Sequence, residues 1–443
     1  MRRASHSLII VGGLLALGAT SICVADDDMA QFFTAGHVDG QLRAYNYDRI
    51  YATTDKANAR AFSGAILLNV QSGTVANGFS VGVSAVSANA LGTKPDTPAD
   101  VDVSLMGPGN SVTALSQAFL QFENGRLLVR AGDQYLDTPW MGSNDSRVLP
   151  SSYEAILAQV TPSQGWTIVG IRSLQWKSRT SDGFHADNLY YPSTYDGDSM
   201  YGNNASLPLT ARRPNGTWTI GTTYASEYVK AESWYYDFLG FGRMAYVDGT
   251  YKYKLGSDFA PFVSAQYADE VGGPDNILVE TQTELLGVAG DRVRSRIIGA
   301  DVGASVFNGQ IDLAYNQSAQ QQGAVGLGSF VTPYTITYAT DPLYTTSMLR
   351  GLVEQGPGHA WKAKAEYAFL DDTLRFVMAY TKYSTTLRGD SHDVYFDVVY
   401  DFKGALHGLS LRNRFEHSEG GINDLNPGDK PFSYNRVMLS YKF

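Results

Sequence analysis

The side chains in this 443-residue chain that are best placed for chemistry are arginines sharing one face of alternating segments. In Leu409-Ser410-Leu411-Arg412-Asn413-Arg414-Phe415-Glu416, a period of two puts Leu409, Leu411 and Phe415 on one side. Arg412 and Arg414 then project to the other. The last eight residues behave alike: Val437, Leu439, Tyr441 and Phe443 share one face, and Arg436, Ser440 and Lys442 share the opposite one with Met438. Arg43 and Arg49 have common parity near the start, and Arg60, Arg126 and Arg130 are further candidates. Guanidiniums stacked along one wall offer bidentate hydrogen bonds to a carboxylate. Weak binding at several such sites lets an anion enter and still leave. The competing reading is that these arginines pair with carboxylates such as Glu416 and Asp401 and only fill the wall. The residues alone leave both open.

Catalytic chemistry has less behind it. His6, His37, His185, His359, His392, His407 and His417 are scattered without metal-ligand spacing, and Cys23 is the sole cysteine, so neither a zinc nor a thiol site is expected. Gly240-Phe241-Gly242 and Gly326-Leu327-Gly328 lack the strand–helix setting of a nucleotide loop. Asp196-Gly197-Asp198 reads as a solvated turn before it reads as a calcium site. No cofactor, no metal and no enzymatic activity are expected. The formal net charge of −10 argues against a nucleic-acid partner.

Any element carrying the arginines must be a strand. Met1-Arg2-Arg3, the apolar run Leu8 to Ala19 and the small residues before Asp26 form a secretory signal over residues 1–25, too short to span a bilayer. Cleavage after Ala25 leaves residues 26–443 without cysteine, so an exported chain of this size needs rigidity from another source, and a closed hydrogen-bonded barrel supplies it. Tyr (28) and Phe (20) are plentiful, and no later stretch reaches a transmembrane helix. Alternation recurs in Val247-Gly249-Tyr251-Tyr253-Leu255 against Asp248, Thr250, Lys252 and Lys254. It recurs in Trp361-Ala363-Ala365-Tyr367-Phe369 against Lys362, Lys364 and Glu366, and in Val394-Phe396-Val398-Tyr400-Phe402 against Asp393, Asp397 and Asp401. Tyr367, Phe369, Tyr380, Tyr383, Tyr400 and Phe402 fall near strand ends on or beside the apolar face, as an interfacial girdle requires. Ordinary aromatic packing in a soluble sandwich is the rival account.

Short connections at 254–259, Asn308-Gly309, Asp371-Asp372 and 403–405 alternate with long polar ones near 89–112, 136–152, 178–214, 269–293, 317–358 and 418–433. Short turns on one rim and long loops on the other are the two sides of a transmembrane β-barrel. The length predicts 16 to 18 strands, enough to leave an aqueous channel.

At these residues the chain resembles the OprD-type substrate-specific outer-membrane porins. The resemblance is carried by Gly40-Gln41-Leu42-Arg43-Ala44-Tyr45-Asn46-Tyr47-Asp48-Arg49, Gly132-Asp133-Gln134-Tyr135-Leu136-Asp137-Thr138-Pro139 and Ser146-Arg147-Val148-Leu149-Pro150. Gly356-Pro357-Gly358, Leu409 to Arg414 and the terminal strand complete it, so the pieces span nearly the whole mature chain. It implies an all-β, 18-stranded monomeric barrel narrowed by extracellular loops folding into the lumen. It also implies a basic ladder guiding small anionic or zwitterionic solutes, with rungs at Arg43, Arg49, Arg412, Arg414 and Arg436. Lys362 and Lys364 are less secure members. The loop at 178–214, with Tyr190, Tyr191, Tyr195, Arg212 and Arg213, is the candidate constriction, and Trp234-Tyr235-Tyr236 has no assigned place. The expected setting is the Gram-negative outer membrane, with its lipids and lipopolysaccharide around the barrel and its assembly machinery recognising the last strand through Phe443. A general diffusion porin without a binding site is the alternative, and a soluble exported carbohydrate-binding β-protein is a further one.

Overall fold

Alternation of apolar with polar or small residues, sustained strand after strand, leaves each strand one oily and one wet face, and a sheet of such strands can satisfy both only by closing. The computed structural model describes residues 26–52, 57–143, 147–191, 205–256, 258–335, 341–421 and 431–443; the expected signal segment, 1–25, lies outside them. The barrel strands are β1 (His37–Tyr51), β2 (Ala59–Gln71), β3 (Phe79–Asn89), β4 (Ser111–Asn124), β5 (Leu127–Gln134) and β6 (Ser152–Val160). They continue as β7 (Trp166–Lys177), β8 (Thr217–Ala225), β9 (Val229–Phe238), β10 (Gly242–Lys252), β11 (Phe259–Gly272) and β12 (Val293–Val306). The last six are β13 (Gly309–Ser318), β14 (Gly358–Phe369), β15 (Leu374–Thr385), β16 (Gly389–Asp401), β17 (Leu409–Gly420) and β18 (Phe432–Lys442). Each pairs antiparallel with its sequence neighbours, and β1 closes on β18 from Gln41↔Lys442 to Tyr51↔Phe432. No barrel edge remains. In hydrocarbon this closure is decisive, because every unpaired backbone group costs several kcal/mol, on the order of a lost hydrogen bond or more.

The outer face is apolar. Val247, Tyr251, Ile311, Leu313, Trp361, Leu439 and Tyr441 are all exposed on it. A closed barrel with such a belt is a bilayer-embedded object, the architecture of bacterial outer-membrane proteins. Aromatic pairs mark the short-turn rim: Tyr367 with Phe369, Tyr400 with Phe402, and Tyr441 with Phe443. Tyr383 departs from the girdle expected above. It lies on the inner parity of β15, is 1% exposed, and donates its hydroxyl to the carbonyls of Thr345 and Arg350. Trp234 and Tyr236 face inward and Tyr235 outward. Gly221 makes room for this: a Cβ there would sit 2.1 Å from the Trp234 indole, so only glycine lets that ring lie flat on the inner wall.

The long loops do not stand free above the barrel. Leu105 and Met106, Trp140 and Met141, Val148 and Leu149, Leu207, Phe330 and Val331, Leu352 and Val353 join inward strand residues in one buried cluster. Ile277, Leu278 and Val279, on a one-turn helix (Ile277–Glu280), belong to it too. Irregular backbone is tolerated at membrane depth because it is buried inside protein and not exposed to lipid.

Candidate functional site

The register of three adjacent strands builds the site. Arg414 on β17 stands directly opposite Arg436 on β18, which stands opposite Tyr47 on β1. Arg412 is aligned with Met438 and then Tyr45, and Arg43 with Ser440. Arg43, Arg49, Arg412, Arg414 and Arg436 therefore all line the inner wall, at the seam where the barrel closes.

Each guanidinium has its own surroundings. Arg412 is the most open, and holds Asp397 through two parallel contacts, Nε donating at 2.8 Å to Oδ1 and Nη2 to Oδ2. Arg414 donates from Nε to the Tyr395 hydroxyl at 3.0 Å and lies 3.6 Å from Asp397. Arg436 is buried over the rings of Tyr434 and Tyr47, at 4.4 and 5.0 Å from their centroids, and its Nε and Nη2 have no hydrogen-bond acceptor among the described residues. Arg43 donates to Gln41 Oε1 and, through Nη1, to the carbonyls of Arg147 and Val148 at 3.1 and 3.0 Å. Arg49 meets Asp102 at 3.4 Å with both side chains fully buried.

Two of these contacts pin loops into the lumen. Arg43 seals the 135–151 loop against the wall, and Trp140 of that loop packs on Phe330 and Tyr246, at 4.9 and 5.9 Å between ring centres. Asp102 ties down the 90–110 loop, accepting from the Ser104 amide and hydroxyl while bonded to Arg49. A third anchor is Glu416 on β17, which accepts from the Ser347 hydroxyl and from the amides of Met348 and Leu349 at 2.7–3.0 Å. Arg350 from the same loop lies 3.6 Å from Asp393.

Burial alone would push the Asp102 carboxyl up, but Arg49 and the hydroxyls of Ser104 and Tyr434 outweigh it and hold the group below the ordinary 3.8. A lowered carboxylate contributes stability that is complete above about pH 4 and lost as pH falls through the lowered value. The expected result is that hydrogen exchange in the 90–110 loop is protected from pH 8 to pH 4 and rises only below. Asp102→Asn should abolish this acid step and loosen the loop at neutral pH, since removing one partner of a buried pair costs about 3–5 kcal/mol.

Below the anchors, on the short-turn side, the lumen opens into two cavities. One of about 680 Å³ has Arg375, Lys403, Arg412 and Lys442 facing Asp371, Asp372 and Asp401. The other, about 780 Å³, is lined by Gln41, Arg43, Asn69, Tyr135, Asp137 and Lys442. This end of the lumen thus carries mixed charge, with the seam guanidiniums above it.

No family model matches the chain, and no characterised protein matches it by sequence. Solved structures do. OccAB2 of Acinetobacter baumannii superposes with a TM-score of 0.73 over 93% of this chain and 99% of its own, at 16% identity. A BenF-like porin from Pseudomonas fluorescens Pf-5 gives 0.73 over 93% and 99%, at 15% identity. Pseudomonas aeruginosa OpdK, solved with vanillate, gives 0.70 over 93% and 99%, at 14%. The chain has the OprD-type porin fold.

Within this barrel the other expected residues are spread out. Arg60 is on the outer face: its register partner is Asp48, and inner-facing Tyr47 pairs with Ala61. Ala59-Arg60-Ala61-Phe62 has too little contrast between faces to fix parity, so the inward expectation is corrected here. Arg130 does face inward, but four strands from the seam, bonded to Gln121 and lying over Phe119. Arg126 sits in a short-rim turn, donating to the Pro162 carbonyl. Lys362 donates to the Thr346 carbonyl, and Lys364 pairs with Asp312 and Glu366. Neither joins the seam.

The described parts of the 178–214 stretch, 178–191 and 205–214, pack against the other long loops. Tyr190 donates its hydroxyl to Glu354, and Tyr191 to the Arg212 carbonyl beneath the Arg213 guanidinium. Arg212 pairs with Glu280 at 2.7 Å and Arg213 with Asp187 at 2.5 Å. Tyr195 and Asp196-Gly197-Asp198 lie outside the described residues. Among the described residues no three His, Cys, Asp or Glu side chains are grouped to hold a metal. Sequence reasoning missed Asp397, Tyr395, Asp102 and the anchoring role of Glu416. Of these, Asp397 was signalled by its inner parity, shared with Asp393 and Asp401.

Proposed function

We propose that this protein is a Gram-negative outer-membrane channel for passive, selective diffusion of small carboxylate-bearing solutes such as amino acids and aromatic or other organic acids. The seam wall carries the reading: guanidiniums rise from the mouth cavities through Arg43 and Arg412 to Arg414 and Arg436, and the Nε and Nη2 of Arg436 have no acceptor among the described residues. A buried guanidinium with unmet donors is favourable ground for a carboxylate, which satisfies two N–H groups at once. OpdK crystallised with vanillate is in keeping with this class of solute. Passage needs no catalytic group, only successive weak sites.

A second reading has an observation of its own. Asp397 neutralises Arg412 and borders Arg414, which favours a general diffusion pore without a binding site. Flux into proteoliposomes over a panel of carboxylates and matched neutral solutes separates the two. Saturation with carboxylates alone supports the selective channel; linear flux for every solute sinks it. A protein that leaves cells without detergent and runs at one gel position, heated or not, would end both readings.

A further inference from the structure

The outer rim near the long loops carries a basic sector that solute passage does not use. One register row runs around the outside of β7 to β12: Arg172 is aligned with Trp218, Trp218 with Asp237, Asp237 with Arg243, Arg243 with Val271, and Val271 with Arg294. One step lower, Arg296 stands opposite Asp269. All of these side chains share the outward parity of the exposed Trp218, Ile220, Tyr235, Tyr267 and Ile298.

The sector has charge to spare. Arg294 and Arg296 share a single carboxylate, Asp269, at 2.8 and 3.2 Å. Arg243 is exposed, and no hydrogen bond or ion pair is found for it among the described residues. Arg172 lies 5.2 Å from the centroid of the exposed Trp218 ring, a cation held over an interfacial aromatic. Four arginines against Asp237 and Asp269 make this arc positive on a chain whose net charge is −10. It is not a property of the whole rim: on β5 and β6 the outward pair in register is Asp133 and Glu154. Adjacent strands are spaced by about 4.8 Å, so Arg243 and Arg294 are held roughly 10 Å apart by the sheet.

We infer that the β7–β12 rim is a binding site for a phosphorylated glycolipid headgroup of the outer leaflet, with Arg243, Arg294 and Arg296 as its phosphate ligands. The site rests on the outer-membrane reading but not on solute selectivity. Planar guanidiniums grip phosphate oxygens in pairs, and a rigid row at headgroup height presents them where such phosphates lie. Tyr235 and Tyr267, outward and further from the rim, supply the apolar floor beneath.

The test uses the full barrel, purified in detergent and reconstituted into phosphatidylcholine vesicles containing either bisphosphorylated lipid A or its dephosphorylated form. Retained glycolipid is counted by native mass spectrometry. The expected result is retention of the phosphorylated form only, at least tenfold weaker in Arg243→Ala/Arg294→Ala/Arg296→Ala, with carboxylate flux unchanged. Equal retention of both forms, or wild-type retention by the triple variant, overturns the site. If the triple variant loses heat-modifiable migration, Arg243→Glu replaces it, because it strands no partner; unchanged retention there overturns the site as well. Crosslinking of Arg243→Cys to a second copy, without lipid retention, also overturns it. Lipid retention without carboxylate flux leaves the site standing and removes the selective-channel reading.

Discussion

Replacing Arg412 and Arg414 together by alanine should weaken carboxylate binding in the pore by roughly 10- to 100-fold, the loss of one or two charge-assisted hydrogen bonds worth about 1.5–3 kcal/mol each. The effect should be seen first as slower uptake at low solute concentration and as reduced block of single-channel current by the carboxylate. The double variant also strands a charge. Asp397, which Arg412 holds through both carboxylate oxygens, is left on the inner wall without a guanidinium, keeping only the Tyr395 hydroxyl as donor. A triple variant adding Asp397→Asn separates the contributions. If the lost guanidiniums matter, the triple variant stays weak; if only the stranded carboxylate repels, it recovers. Unchanged currents and uptake in the double variant would sink the arginine-wall idea.

Glu416→Ala should enlarge the pore. Its carboxylate gathers the Ser347 hydroxyl and the Met348 and Leu349 amides, which is how the long 319–357 loop is held against β17. Three hydrogen bonds converging on one buried carboxyl make a local anchor worth a few kcal/mol, about 0.5–1.5 kcal/mol apiece. Without them the loop keeps Arg350, which lies 3.6 Å from Asp393 and donates to Ser418 and the Gly420 carbonyl, and the Tyr383 hydroxyl bonded to its backbone. The expected outcome is a several-fold rise in single-channel conductance, entry of larger neutral sugars in liposome swelling, and weaker carboxylate preference. Glu416→Gln, which keeps an acceptor, should fall between. An unaltered conductance in Glu416→Ala would show that the loop is held by its apolar packing alone.

What could be read beforehand follows from the physics of alternation. On β17 and β18 the lipid face carries Leu409, Leu411, Phe415, Val437, Leu439 and Tyr441, so parity places Arg412, Arg414 and Arg436 inward; on β1 Arg43 and Arg49 share a parity against an outward face that mixes Leu42 and Ile50 with Asn46 and Asp48. Parity fails at Arg60, because its neighbours are small and give neither face an identity. Tyr383 was misassigned for a related reason: an aromatic ring suits either a girdle or a plugged lumen, and only its hydroxyl's partners distinguish them. The loops were the least legible part. Arg43 recognises the 135–151 segment by backbone carbonyls, which every residue has, so no side-chain pattern announces the contact. In the 178–214 stretch, Tyr190 and Arg212 bind Glu354 and Glu280 of other loops, contacts between segments far apart in the chain that no local pattern announces.

The meeting of Tyr47 with Arg436 has a bearing on biogenesis. Those residues come from the first and last strands, nearly four hundred positions apart, and the ring reaches the guanidinium only when β1 zips onto β18. A partly assembled sheet could leak, but it would have no continuous basic track. On the proposed reading, selectivity is a product of completed closure, so a binding assay for a carboxylate doubles as a report that the last hydrogen-bonded seam has formed.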